Sequence, residues 1–107
     1  MMRYILSDDA KEDLERIIKY LISKENKIAN TFLKDLRESC KTLTKFPEIA
    51  PLVRDEIKTK SPYINNIRFW SMFKFKKYTI FYTKENSEIV IIRILHDRQN
   101  ALMILDR

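Results

Sequence analysis

No glycine occurs in these 107 residues, and that one absence removes whole classes of chemistry. Glycine-rich phosphate loops and dinucleotide-binding fingerprints need a backbone without Cβ close to the ligand, so neither can be built here. Any turn that demands positive φ falls to asparagine, with Asn65, Asn66 and Asn86 available. A single cysteine, Cys40, excludes an internal disulfide, and nothing has zinc-ligand spacing. Cys40 therefore reads as a small core residue, and no metal or other cofactor is expected. No apolar run reaches signal-peptide length or the ~18 residues of a membrane span, so the sequence predicts a cytoplasmic protein without membrane contact.

Hydrophobic residues nevertheless make up 45% of the chain, enough for a core in one domain over residues 1–107. Arg3–Leu6 reads as a short strand. Ser7 is a good N-cap, and Asp8, Asp9, Glu12 and Asp13 set negative charge on the positive end of the helix it opens. Ala10, Leu14, Ile17, Ile18, Leu21 and Ile22 form one apolar stripe on that helix, which fades near Ser23–Lys27. A second stripe follows with Ile28, Phe32, Leu36, Cys40 and Leu43, flanked by Ala29 and Leu33. The connection is so short that the two helices form an antiparallel hairpin. Phe46–Pro51 (FPEIAP) ends the second helix, and Leu52–Asn66 reads as an irregular connector. Three β-rich runs come next: Ile67–Phe73, Tyr78–Thr83 and Glu88–Leu95, rich in β-branched and aromatic residues. The last is apolar enough to be the central or best-covered strand. Gln99–Arg107 makes a short tail. The outline is α+β: an N-terminal strand and a helical hairpin packed on a mainly antiparallel β-meander, in the order β-α-α-β-β-β.

The formal charge is +6, and it is concentrated. From Ile57 to Lys84 stand seven bases, Lys58, Lys60, Arg68, Lys74, Lys76, Lys77 and Lys84, without one carboxylate. Elsewhere bases and acids nearly balance. A focused positive field attracts nucleic acid or an acidic protein segment, although a solvated basic face that aids solubility has the same composition. Arg93 is the one charge inside the apolar run IVIIRIL. Strict alternation sets it on a face with Ile89, Ile91 and Leu95, where it must pair with a carboxylate or open onto a groove. His96, the lone histidine, emerges where that strand ends.

Several strings, in order, resemble the RelE/ParE toxin superfamily of bacterial type II toxin–antitoxin systems. YILSDDAKEDLERIIKYL resembles the family's opening strand and acidic helix start. FPEIAP resembles its NPEIGRP-like break, with Ala50 in place of the usual glycine. Arg68, Trp70, Phe75, Tyr78, Ile80, Phe81 and Tyr82 match its arginine–tryptophan–phenylalanine pattern and following Y-x-I-F-Y strand. IVIIRILHDRQNALMIL resembles the final strand and ending, with Arg93, His96 and Arg98, and with Asn100 where aspartate is frequent. The two long helices and the FPEIAP break look more like the ParE branch.

The resemblance implies a growth-inhibiting toxin neutralised by a cognate antitoxin, with operator DNA contacted only through that antitoxin. ParE-like members are implied to poison DNA gyrase, and RelE-like members to cut mRNA on the ribosome. Cleavage would need a base, an acid and phosphate-holding cations. His96, Arg68, Arg93 and Arg98 are the candidates. Lys74, Lys76, Lys77, Arg68, Trp70 and Tyr78 are candidates for holding a target or nucleic acid, Trp70, Tyr78 and Tyr82 by stacking on bases if they are not core. Arg68, Arg93, Leu102 and Leu105 are candidates for meeting an antitoxin. A non-toxic domain that only binds an antitoxin as co-repressor is the remaining alternative.

Overall fold

The structure is a computed structural model that describes residues 2–56 and 66–96. Its elements are β1 (Arg3–Leu6), α1 (Asp8–Lys24), α2 (Asn26–Lys45), α3 (Val53–Glu56), β2 (Arg68–Ser71), β3 (Tyr78–Glu85) and β4 (Glu88–His96). The connector read as irregular thus holds one short helical turn, α3. The four strands form one sheet in the order β1-β4-β3-β2, with β1 parallel to β4 and the remaining pairs antiparallel. The last strand is an inner one, between β1 and β3, in keeping with its apolar composition.

Ser7 joins sheet to helix. Its N–H donates to Ile91 O (2.9 Å), its hydroxyl donates to Ile92 O (2.8 Å), and Oγ accepts from Ala10 N (3.1 Å). That last bond satisfies one of the amides a helix start leaves open. One extended residue, Glu25, separates the helices; its N–H closes α1 onto Leu21 O and its carbonyl accepts from Ile28 N. So short a joint forces the hairpin. Thr42 O accepts from Phe46 N (2.9 Å) at the end of α2, and Pro47 offers no N–H to carry the helix further.

Helix stripes and one sheet face make the main core: Ala10 and Leu21 from α1, Phe32, Leu36, Cys40 and Leu43 from α2, and Ile80, Tyr82, Ile89, Ile91 and Ile94 beneath them. Ile22, expected on the stripe, is 50% exposed instead. The opposite sheet face carries a second apolar cluster of Val53, Ile67, Phe69, Phe81 and Leu95. The sheet is therefore apolar on both sides.

One irregularity sets the faces of β4. Phe81 pairs with Arg93 but Tyr82 pairs with Ile91, so Ile92 is an extra residue on β4. Such a bulge resets the alternation. Ile94 joins Ile89 and Ile91 under the helices and Leu95 goes to the far cluster, so Ile89, Ile91 and Leu95 do not make one face, and Arg93, opposite Phe81, is parted from Ile89 and Ile91. The β3–β4 turn is reduced to Asn86 and Ser87, and Asn86 carries the positive φ (55°) that the missing glycine would have supplied.

Candidate functional site

At one end of β3 lies the loop that joins it to β2. Asp35 of α2, 4% exposed, accepts from both Lys74 N and Phe75 N at 2.9 Å. Tyr78 N donates to Phe75 O (2.9 Å) and Met72 N to Tyr78 O (3.0 Å). Phe75 and Tyr78 each meet buried Phe32 edge-on at 5.1 Å. The backbone is thereby fixed, and Lys74, Lys76 and Lys77 are left exposed. His96 is exposed across the ladder from Tyr78, its ring 5.0 Å away at 73°. Trp70 stacks edge-on with exposed Phe73 (5.7 Å) and packs on the main core; its indole N–H is buried without a partner among the described residues. This end gathers Lys74, Lys76, Lys77, Trp70, Tyr78 and His96.

Arg68 belongs to the other end. It pairs with Tyr82 in the ladder, and its Nη1 donates to Ala50 O (2.6 Å) and, at longer range, to Glu48 O (3.4 Å). The Tyr82 hydroxyl donates to Pro47 O (2.9 Å). Burial pushes that phenol up to about 12, against the pull of neighbouring Arg68. Leu52 bridges to Arg68, Val53 N donates to Ile67 O and Phe69 N to Pro51 O. The FPEIAP segment is thus laced onto β2. Tyr82 itself is core rather than a stacking surface.

Arg93 has an internal partner. Its Nε and Nη2 donate to the two carboxylate oxygens of Asp13, each at 2.8 Å, and Ile94 N donates to Oδ2 at 3.0 Å. Arg16 adds a bond to Oδ1 at 2.6 Å. Asp13 is 1% exposed. The hydrogen bond to Asp13 pushes the Arg93 guanidinium further up. The position explains the residue: β1 ends opposite Ile91, and beyond it α1 supplies a carboxylate where a strand would have supplied carbonyls. Sequence reasoning took Asp13 for helix-end charge. Its place three after Ala10 and four before Ile17, inside the apolar stripe, was the available signal. Asp35, between Phe32 and Leu36, carried the same one.

The expected single basic field is divided. Strands of a hairpin run antiparallel, so bases close in sequence lie at opposite ends: Lys74, Lys76 and Lys77 at one, Arg68 and Lys84 at the other. Among the RNA-cleavage candidates, His96 and Arg68 face positions four residues apart on β3, about 13 Å along the strand and on opposite sides of it. Arg93 is turned to α1. Arg98, Leu102, Leu105, Lys58 and Lys60 lie outside the described residues. Among the described residues no His, Cys, Asp and Glu side chains cluster to hold a metal ion, and no helix is long and apolar enough to cross a membrane.

The sequence profile of one family, described as the ParE toxin of the type II toxin–antitoxin system parDE, matches residues 4–101. No curated protein sequence matches. Among solved structures, a chain of the chromosomal ParDE toxin–antitoxin system from P. aeruginosa superposes with a TM-score of 0.64 at 18% identity, over 90% of this chain and 96% of that one. At that identity the likeness is one of fold.

Proposed function

The chain belongs to the ParE branch of the RelE/ParE toxin superfamily of type II toxin–antitoxin systems, and from that membership we propose that it arrests growth by binding DNA gyrase and is neutralised by a cognate antitoxin. What supports a binding toxin over a cleaving one is the separation of the groups that RNA cleavage would need to bring together. A base and the cations that steady a crowded phosphate must sit within hydrogen-bond reach of one scissile group. His96 and Arg68 stand at opposite ends of β3, and Arg93 is occupied by Asp13. Purified protein added to a gyrase supercoiling assay should inhibit supercoiling or trap a cleavage complex. No effect in excess rejects the gyrase target.

One observation keeps the ribosome-dependent mRNA endonuclease in play: His96 is exposed beside Tyr78, at the same end of the sheet as Lys74, Lys76 and Lys77. An imidazole there is able to pass a proton to or from a bound substrate, and the lysines attract phosphate. On that reading His96→Ala abolishes mRNA cleavage on ribosomes while the fold survives; unchanged cleavage removes the role. Operator DNA is contacted only through the antitoxin. Expression without antitoxin that leaves growth untouched would favour the co-repressor reading instead.

A further inference from the structure

Phe46 and Ile49 are large apolar side chains held in water, 58% and 49% exposed, against the ordinary preference for burial. They are not on a loose loop. Ile49 N donates to Phe46 O (3.1 Å) and closes a turn. From beneath, the Tyr82 hydroxyl holds Pro47 O, and Arg68 holds Glu48 O and Ala50 O. Prolines at 47 and 51 fix φ on either side. A surface ordered in advance loses little entropy when something binds it.

Beside Phe46 and Ile49 opens a hollow of about 470 Å³, and the next, of about 290 Å³, has Arg54 and Arg68 on its wall. Pro47, Glu48 and Lys84 line both, so the two lie side by side. Arg68 commits only Nη1 to the turn; its Nε and Nη2 have no partner among the described residues. Those two groups form the fork that matches a carboxylate with two parallel bonds. An apolar step therefore adjoins a cationic fork held in place by backbone carbonyls. Exposed Glu48 lines both hollows, and with the exposed phenylalanine and isoleucine it makes a poor path for a chain of phosphates.

We propose that the Phe46–Ala50 turn is a docking platform for a partner-protein segment that sets a carboxylate on Arg68 and a large apolar side chain between Phe46 and Ile49. Naming that partner as the antitoxin rests on the function proposed above; the chemistry of the platform does not.

The test uses the whole chain, isotope-labelled, with three short synthetic peptides and one short single-stranded RNA as probes. The peptides alternate glutamate with leucine, glutamine with leucine, and glutamate with serine. The glutamate–leucine peptide should shift the amides of Phe46, Glu48, Ile49, Ala50, Arg68 and Lys84. Ile49→Ser and Phe46→Ser should each weaken it by about tenfold or more, and both side chains stand exposed rather than in the core. Arg68→Lys, which keeps the charge but not the fork, should weaken it likewise. Equal binding of the glutamate–serine peptide or the RNA, shifts confined to Lys74–Lys77, or no shifts with any peptide overturn the platform. Growth arrest is read separately. Arrest without peptide shifts sinks the platform alone, and peptide shifts without arrest sink the toxin reading alone.

Discussion

Asp13 holds the place where the sheet runs out of strand, and its several bonds differ in what they cost to lose. Removing a carboxylate that is buried and bonded to Arg93 and Ile94 N strands both partners, so Asp13→Ala should destabilise by about 3–5 kcal/mol in urea titration. Arg16 donates to the same carboxylate, at Oδ1, from a side chain 66% exposed, and Arg16→Ala should cost under about 1 kcal/mol. Equal losses would show that the buried bonds are not what anchors α1 to β4. Tyr82 and Cys40 give a second residue-scale expectation, in alkali. The Tyr82 phenol sits at about 12 folded against 10.0 unfolded, and the Cys40 thiol at about 12 against 9.0, both through burial. Folding favours the protonated form of each. That contribution is complete below pH 9 and is lost as pH rises toward 12, because the unfolded chain releases its protons first. At ~1.4 kcal/mol per unit the combined loss is on the order of several kcal/mol. Tyr82→Phe should cost about 1 kcal/mol at neutral pH through the lost bond to Pro47 O, yet show a shallower decline above pH 10. A parallel decline in both proteins would contradict this.

At the scale of elements, what could be read in advance was whatever a local pattern repeats. Ser7 before an acidic turn, the spacing of Phe32, Leu36, Cys40 and Leu43, and the β-branched run of β4 each announce an element through neighbours a few residues away. The bulge at Ile92 has no such signature. It depends on which residue of β3 faces which of β4, and a single added residue turned Arg93 away from the face that alternation gave it. Asp35 was hidden for a similar reason, since its partners are the amides of Lys74 and Phe75, far along the chain. It acts as a cap for a loop that has no glycine to ease its turn. Asp35→Ala leaves two amides without an acceptor and should destabilise by about 1–3 kcal/mol. Hydrogen exchange at Lys74 and Phe75 should accelerate more than exchange at Ile80 or Ile94. Uniform acceleration would mean that the loop opens only with the whole sheet.

Across the whole molecule the sequence concealed a separation. A run of seven bases without an acid reads as one field, but antiparallel pairing carries Lys74, Lys76 and Lys77 to one end of the sheet and Arg68 with Lys84 to the other. His96 fell where its strand-end position put it, whereas Arg68 ended under the Pro47–Ala50 turn, a contact set by tertiary pairing alone. The two ends should therefore act by different means on an acidic partner. Exposed lysines steer encounters over a Debye length and contribute little once contact is made. Lys74→Glu with Lys76→Glu and Lys77→Glu should slow association with the antitoxin by about 10-fold or more at low salt, leave dissociation nearly unchanged, and lose that effect as salt rises. Ile49→Ser at the far end should instead hasten dissociation, with little dependence on salt. Because the ends lie about 20 Å apart along β3, the binding losses of the combined variant should add to within about 0.5 kcal/mol. Strong non-additivity, or a salt-dependent effect of Ile49→Ser, would mean that one continuous surface binds the partner and that the division of charge seen in the fold has no consequence for recognition.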